Sequence, residues 1–176
     1  IVANQGFNNI DSPIWLNDDA VAYSYKPHHG NWRIDTIDLT NNTSSTVLES
    51  EKNNYFQVAN GSNADSMFVT SDKEGLVDLW EYSFNTNSLS QLTQSVGGAI
   101  APSYNPITNN IVYQSYSDQG WDIASTRYSP KNSLPASASP DLAPIQLDKP
   151  GEGYEIDWAQ TNNDASVPRG YSPWST

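Results

Sequence analysis

The sequence predicts an all-β protein built from repeated four-stranded antiparallel sheets, and three observations carry that expectation. The stretches "YSYKPHHGNWRIDTIDL", "FVTSDKEGLVDLWEYSF" and "YQSYSDQGWDIASTRYS" each run from a β-type segment through a polar turn into a second β-type segment. Their turn glycines, Gly30, Gly75 and Gly120, recur at intervals of 45 residues. Trp15 and Tyr104, each two residues after a proline, lie 89 residues apart, one short of two such intervals. No run of about ten residues or more has helical periodicity, whereas short segments rich in β-branched and aromatic residues are bounded throughout by Gly, Pro, Asn and Asp.

Each repeat divides into four strands. In the first they are expected at 13–15, 20–24, 32–38 and 45–48, the last pair joined by Asn41 and Asn42, whose side chains tolerate a left-handed backbone. In the second they fall at 56–58, 66–70, 77–83 and 88–92. In the third they fall at 103–104, 110–116, 121–128 and 145–147. The next aromatic of the Trp15 type is Trp158, 54 residues beyond Tyr104. The excess matches "LPASASPDLAP" at 134–144, a Pro, Ala and Ser segment expected to be a flexible loop inserted into the third repeat.

A unit of about 45 residues holding four antiparallel strands has the size of one β-propeller blade. Sandwiches and barrels also use short, evenly spaced strands, but nothing in them requires the sequence to repeat at this period. The expected organisation is a lead-in or end of a preceding unit at 1–11, blades at 12–52, 53–97 and 98–149, and a partial fourth blade with a connector at 150–176.

The segments "PIWLNDDAVAYS", "PSYNPITNNIVYQS", "GWDIAS" and "GLVDLWEYSFNTNSLSQLT" resemble the PD40, or TolB-like, propeller repeat: Pro and an aromatic, a polar turn, a short apolar strand ending in Ser, then Gly, Asp and an apolar pair, and a closing Leu-Thr. The resemblance covers residues 12–158. The second blade departs from it in lacking the Pro-aromatic landmark, and the first has Arg33-Ile34 where the others have Asp78-Leu79 and Asp122-Ile123. The WD40 signature is absent. This resemblance implies a six-bladed propeller, of which the chain would be a partial one of three to four blades, and a fragment of a larger protein. The tail "ASVPRGYSPWST" resembles the connector joining some TolB-like propellers to an outer-membrane β-barrel.

Composition narrows the functional classes. A formal net charge of -12 repels a phosphate backbone, so nucleic acid is not an expected partner. Although 36% of residues are hydrophobic and mean hydropathy is -0.61, 6 Trp, 10 Tyr and 4 Phe supply the buried surface that a disordered chain lacks. Without cysteine there is neither a disulfide framework nor a thiolate metal site. No apolar run approaches the roughly 18 residues of a membrane span, and no signal peptide is expected in this segment. Richness in Asn, Ser, Thr and Asp suits a periplasmic or otherwise exported bacterial protein.

The candidate sites are few. His28 and His29 stand in the turn before Gly30, but adjacent imidazoles without a third ligand make a weak chelate, and a solvated turn is the expected role. Asp72 and Asp118 are expected to cap their turns through the carboxylate while Gly75 and Gly120 take positive φ. Neither "NDD" at 17–19 nor "TNND" at 161–164 follows a Ca²⁺-loop spacing, and the Asp-box pattern is incomplete. No residue is nominated as acid, base or nucleophile, and no cofactor or metal is expected. Trp15, Tyr104 and Trp158 are expected to pack between blades rather than line a ligand channel.

In a propeller the turns between second and third strands share a face with the links between blades. His28, His29, Asp72, Lys73, Glu74, Asp118 and Gln119 are therefore expected on one partner-binding rim of a non-catalytic protein-interaction scaffold. The alternative is an accessory propeller gating a serine peptidase of the prolyl oligopeptidase or tricorn type. Open blade ends are further expected to promote self-association.

Overall fold

Turn chemistry sets the strand boundaries. Asn42 and Asn87, at φ 52° and 49°, close equivalent hairpins, and Asn109, at 56°, closes a third. The Tyr82 hydroxyl donates to Asn87 Oδ1 at 2.9 Å and the Tyr104 hydroxyl to Asn109 Oδ1 at 2.9 Å, so a tyrosine five residues upstream clasps each of these two turns. At the remaining one, Asp38 accepts from the backbone and side-chain N–H groups of Asn41 and from the Thr40 N–H, and these bonds, those from Asn41 foremost, hold its carboxyl below the usual range.

The computed structural model describes residues 8–130 and the backbone of 133–135. These fall in the first of two units, Ile1–Asp141 and Leu142–Thr176. The strands are β1 (Asn9–Asn17), β2 (Ala20–Lys26), β3 (Arg33–Asp38), β4 (Thr43–Leu48), β5 (Tyr55–Asn60), β6 (Ser66–Ser71), β7 (Asp78–Ser83), β8 (Ser88–Gln91), β9 (Ala99–Asn105), β10 (Asn110–Ser117), β11 (Gly120–Arg127) and β12 (Ser133–Pro135). All neighbouring pairs are antiparallel. Blade 1 is β1-β2-β3-β4, blade 2 is β5-β6-β7-β8 with β12 added beyond β8, and blade 3 is β9-β10-β11.

The position of β12 differs from expectation. Leu134 and Pro135, assigned from sequence to a loop, pair with Leu89 and Ser88 on the outer edge of blade 2. An edge strand leaves a row of unpaired backbone groups that recruits another strand, and an edge position tolerates proline. The rest of that loop and the strand expected at 145–147 lie outside the described residues, as do Trp158, "TNND" and the C-terminal tail.

The innermost strand of every blade carries the same irregularity. The β1–β2, β5–β6 and β9–β10 ladders each slip register around one residue at positive φ, namely Ser12 (51°), Gln57 (52°) and Ala101 (54°). Such a bulge bends the strand and increases its twist. Gln57 Oε1 also accepts from the Ala101 N–H at 3.1 Å, linking the bulges of blades 2 and 3.

Burial follows from stacking. β6 is buried at all six positions and β7 at five of six, because blade 2 has a neighbour on each face. One core, between blades 1 and 2, joins Ala22, Ile34 and Leu48 to Tyr55, Met67, Val69 and Trp80. The other joins Phe68 and Leu79 of blade 2 to Ala99 and Ile111 of blade 3, with Tyr104 and Tyr128 packed on it. Tyr104 meets Phe68 edge-on at 5.4 Å between centroids, which bears out the expected interblade packing of this aromatic.

Four packed tyrosines make the fold sensitive to alkali. Burial raises the phenols of Tyr23, Tyr55, Tyr82 and Tyr128 above the ordinary value of 10.0, and the Glu81 carboxylate adds to this at Tyr128. A group whose folded pKa is raised contributes stability that is complete below its unfolded pKa and is lost as pH climbs through the folded value. Urea midpoints are therefore expected to fall once pH climbs above about 10.5, as these phenols ionise. A midpoint that held steady or rose from about pH 10.5 to 12 would contradict the assignment.

Candidate functional site

Hydrogen bonds gather the turns after β2, β6 and β10 and the connectors after β4 and β8 on one edge of the blade stack. Asn31 Nδ2 donates to the Ser50 and Glu51 carbonyls at 3.2 and 3.0 Å, tying the histidine turn to the connector between blades 1 and 2. The Trp32 N–H donates to Asn54 Oδ1 at 3.1 Å, and the Tyr55 N–H to the Trp32 carbonyl at 2.9 Å. At the next junction the Ala99 N–H donates to the Val77 carbonyl at 2.8 Å. The Tyr116 N–H donates to the Gly98 carbonyl at 3.0 Å, and a Cβ on Gly97 would stand 2.2 Å from the Tyr116 carbonyl oxygen, so only glycine allows this approach.

His28 and His29 are exposed, with ring centroids 4.1 Å apart and planes inclined by 59°. The His28 N–H donates to Asn8 Oδ1 at 2.9 Å. Beside this turn an open cleft of about 560 Å³ is lined by Pro27, Gly30, Asn31, Arg33, Glu49 and Glu51, among others. Arg33 donates through two nitrogens to Asp35, each at 3.0 Å, and its guanidinium lies over the Tyr25 ring at 4.8 Å. Among the described residues no group of three His, Cys, Asp or Glu is placed to hold a metal.

Asp72 does something other than cap its own turn. Its carboxylate accepts from the backbone and side-chain N–H groups of Asn54 at 2.7 and 2.8 Å, and Asn54 in turn holds Trp32 of blade 1. Serine takes over the capping role: Ser71 Oγ accepts from the Lys73 N–H and Ser117 Oγ from the Gln119 N–H, both at 3.2 Å. Gly75 and Gly120 do take positive φ, at 91° and 106°. Glu74, Asp118 and Gln119 are exposed.

Lys73 is 1% exposed and its Nζ has no hydrogen-bond partner among the described residues. It therefore presents no ammonium to a partner. Desolvation lowers its pKa from the ordinary 10.5, and the neighbouring Glu74 carboxylate opposes that shift. An unpaired buried cation costs stability, so Lys73→Met is expected to stabilise the protein by about 1–2 kcal/mol at pH 7. A depressed folded pKa means the cost vanishes above the unfolded value, so the gain should shrink as pH rises towards 10.5. Urea unfolding at two pH values measures it, and a destabilised variant would show that the ammonium is satisfied in solution.

Solved structures share this arrangement of sheets. A TolB-type protein from Agrobacterium tumefaciens superposes with a TM-score of 0.61 at 12% identity, covering 76% of this chain and 50% of its own. The fold is that of a TolB-like propeller. TolB from Acinetobacter baumannii gives a TM-score of 0.54 at 14% identity, covering 65% of this chain and 29% of its own. The chain thus spans half the length of the first and less than a third of the second. No protein-family model and no curated protein sequence matches the chain.

On this TolB-like fold, five of the seven rim residues expected from sequence are exposed (His28, His29, Glu74, Asp118 and Gln119), Asp72 is half-buried and Lys73 is buried. The residues that hold the rim together were not anticipated. Asn31 and Asn54 are two of them. Asp78 is a third, accepting from Thr93 Oγ1 at 2.8 Å, the Ser95 N–H at 2.9 Å and Ser95 Oγ at 2.8 Å. The closing Leu92-Thr93 pair and the Asp before Leu79 were the available signal, since a buried Asp needs donors and Thr93 is one. At the corresponding place blade 1 has Arg33 facing Glu49 at 3.9 Å, a pairing of opposite charges in place of Asp with Thr.

Proposed function

We propose that the chain is a non-catalytic PD40-type propeller segment that acts as a protein-interaction scaffold in an exported bacterial protein, with its partner bound on the rim. The observation that carries this reading is the pinning of the turns and interblade connectors to one edge, which holds the exposed side chains of three blades on a rigid frame. Loops held on a rigid scaffold are where binding residues concentrate. The rim offers polar and ionisable groups (two imidazoles, Glu74, Asp118 and Gln119) without an arrangement suited to acid, base or nucleophilic chemistry among the described residues. The gating role beside a peptidase has no observation in its favour.

Site-specific photocrosslinking tests the reading. A photoreactive residue replacing Gln119 or Glu74 is expected to yield a discrete protein adduct, competed away by the unlabelled chain. The same residue replacing Thr40 or Asn85, in the β3–β4 and β7–β8 turns away from the rim, should not. Adducts of equal yield from both sets would place recognition elsewhere.

A further inference from the structure

Blades 1 and 2 end in equivalent outer strands, of which only one has a further strand beyond it among the described residues. The ladders match Thr43, Ser44, Ser45 and Thr46 of β4 with Ser88, Leu89, Ser90 and Gln91 of β8, since each run starts opposite the last residue of the third strand, Asp38 or Ser83. Beyond β8 lies β12, antiparallel to it, with Leu134 paired to Leu89. Among the described residues β4 is the last strand of its sheet. An outer edge lies on the perimeter of a propeller, so its exposure does not depend on how many blades stand beside it.

An open edge offers unpaired backbone N–H and C=O groups, and proteins usually blunt it with charge, proline or a bulge. Residues 43–46 of β4 have none of these. All four are exposed and uncharged, and they pair with β3 in unbroken register, the irregularity coming only beyond them, between Asp35 and Ile34. The hydroxyls of Ser45 and Thr46 turn back onto β3, where Ser45 Oγ meets Thr36 Oγ1 at 2.9 Å and Thr46 Oγ1 donates to Asp35 Oδ1 at 2.8 Å. They leave the outer backbone uncovered. A chain with a net charge of -12 thus keeps charge off this run but places it at both ends: Asp38 faces Thr43, and Glu49, its side chain 66% exposed, follows Leu48. The corresponding residues around β8 are Ser83 and Thr93, both uncharged.

We propose that β4 is a docking edge for an extended partner segment with an uncharged core and basic ends, which adds an antiparallel strand to blade 1. In strand addition the main-chain hydrogen bonds supply affinity and the side chains supply selectivity. The partner residue opposite Ser44 takes the place that Leu134 takes opposite Leu89, while Lys or Arg on either side meets Asp38 and Glu49. This surface is separate from the rim and stands whether or not the rim binds a partner. A crosslink at Thr40, which lies beside β4, reports this edge, so Asn85 is the control that separates edge from rim.

The test follows amide hydrogen exchange by NMR in the 176-residue chain with a capped heptapeptide, Lys-Thr-Leu-Ser-Val-Thr-Lys. Saturating peptide is expected to slow exchange about tenfold at alternate amides of residues 43–48, because only every second N–H of a strand points outward. N-methylating the peptide at Leu and Val, or instead at Thr and Ser, should weaken binding about tenfold for one pair and little for the other, since a strand bonds through one parity of its amides. Glu49→Lys should weaken the lysine-ended peptide and strengthen a glutamate-ended one, each about threefold, with circular dichroism unchanged. No slowing at 43–48, slowing without alternation, or slowing at the rim turns instead overturns the proposal. Alternating protection that is present without peptide and grows with protein concentration also overturns it, since a second copy would then occupy the edge.

Discussion

Phe68→Ala is expected to lower the free energy of unfolding by about 3–5 kcal/mol, the usual cost of truncating a buried phenylalanine. That is a large part of the roughly 5–15 kcal/mol that holds a domain together. Phe68 is wholly buried at the junction of blades 2 and 3, where it meets Tyr104 edge-on at 5.4 Å and Tyr128 at 5.9 Å. Because stacked repeats are coupled only to their neighbours, the loss should fall on blade 3. Urea unfolding followed by tryptophan emission should then split into two steps, with Trp121 of blade 3 reporting the earlier one. A single transition displaced by less than about 1 kcal/mol would mean that this junction is not where the blades are coupled.

Glu81→Ala should cost about 2–4 kcal/mol, because a buried carboxylate that accepts several hydrogen bonds leaves each donor stranded when it is removed. Glu81 Oε1 accepts from Ser62 Oγ at 2.5 Å and Ser66 Oγ at 2.8 Å, and Oε2 accepts from the Tyr128 hydroxyl at 2.6 Å. It thus fastens the β5–β6 loop and the far end of blade 3 at one point. Tyr128→Phe in the Glu81→Ala background should cost less than in the parent, since the two changes remove one shared bond. Additive losses in that double-mutant cycle would show that the 2.6 Å contact does not form in solution.

The repeat made the architecture legible. Eleven of the twelve described strands overlap segments that could be named from Gly30, Gly75, Gly120 and the runs between them, though β9 was legible only at its later end, around Ser103 and Tyr104. Exposure of the rim residues was legible in part, because a turn position says where the backbone goes but not which side chains it consumes. Asp72 illustrates the gap: its partner Asn54 lies 18 residues away, and nothing local distinguishes a carboxylate that caps a turn from one that fastens two blades. Lys73 illustrates it again, since lysine is almost never fully buried. The pairing of β12 with β8 was hidden because a three-residue edge strand containing proline carries no periodicity.

The bulges on the innermost strands bear on how such a chain can change. Ser12, Gln57 and Ala101 share a left-handed conformation that costs an L-residue about 1–2 kcal/mol, and they have little in common as side chains. The demand comes from the curvature of the inner strand, which fixes the backbone shape at these positions and not the identity of the side chain. Such positions are an untapped thermal reserve. Glycine at Ala101 would relieve the torsional penalty in the native state at the smaller entropic cost of a looser unfolded chain, and the same exchange is open wherever a side chain is not engaged, though not at Gln57, whose amide oxygen holds the next blade.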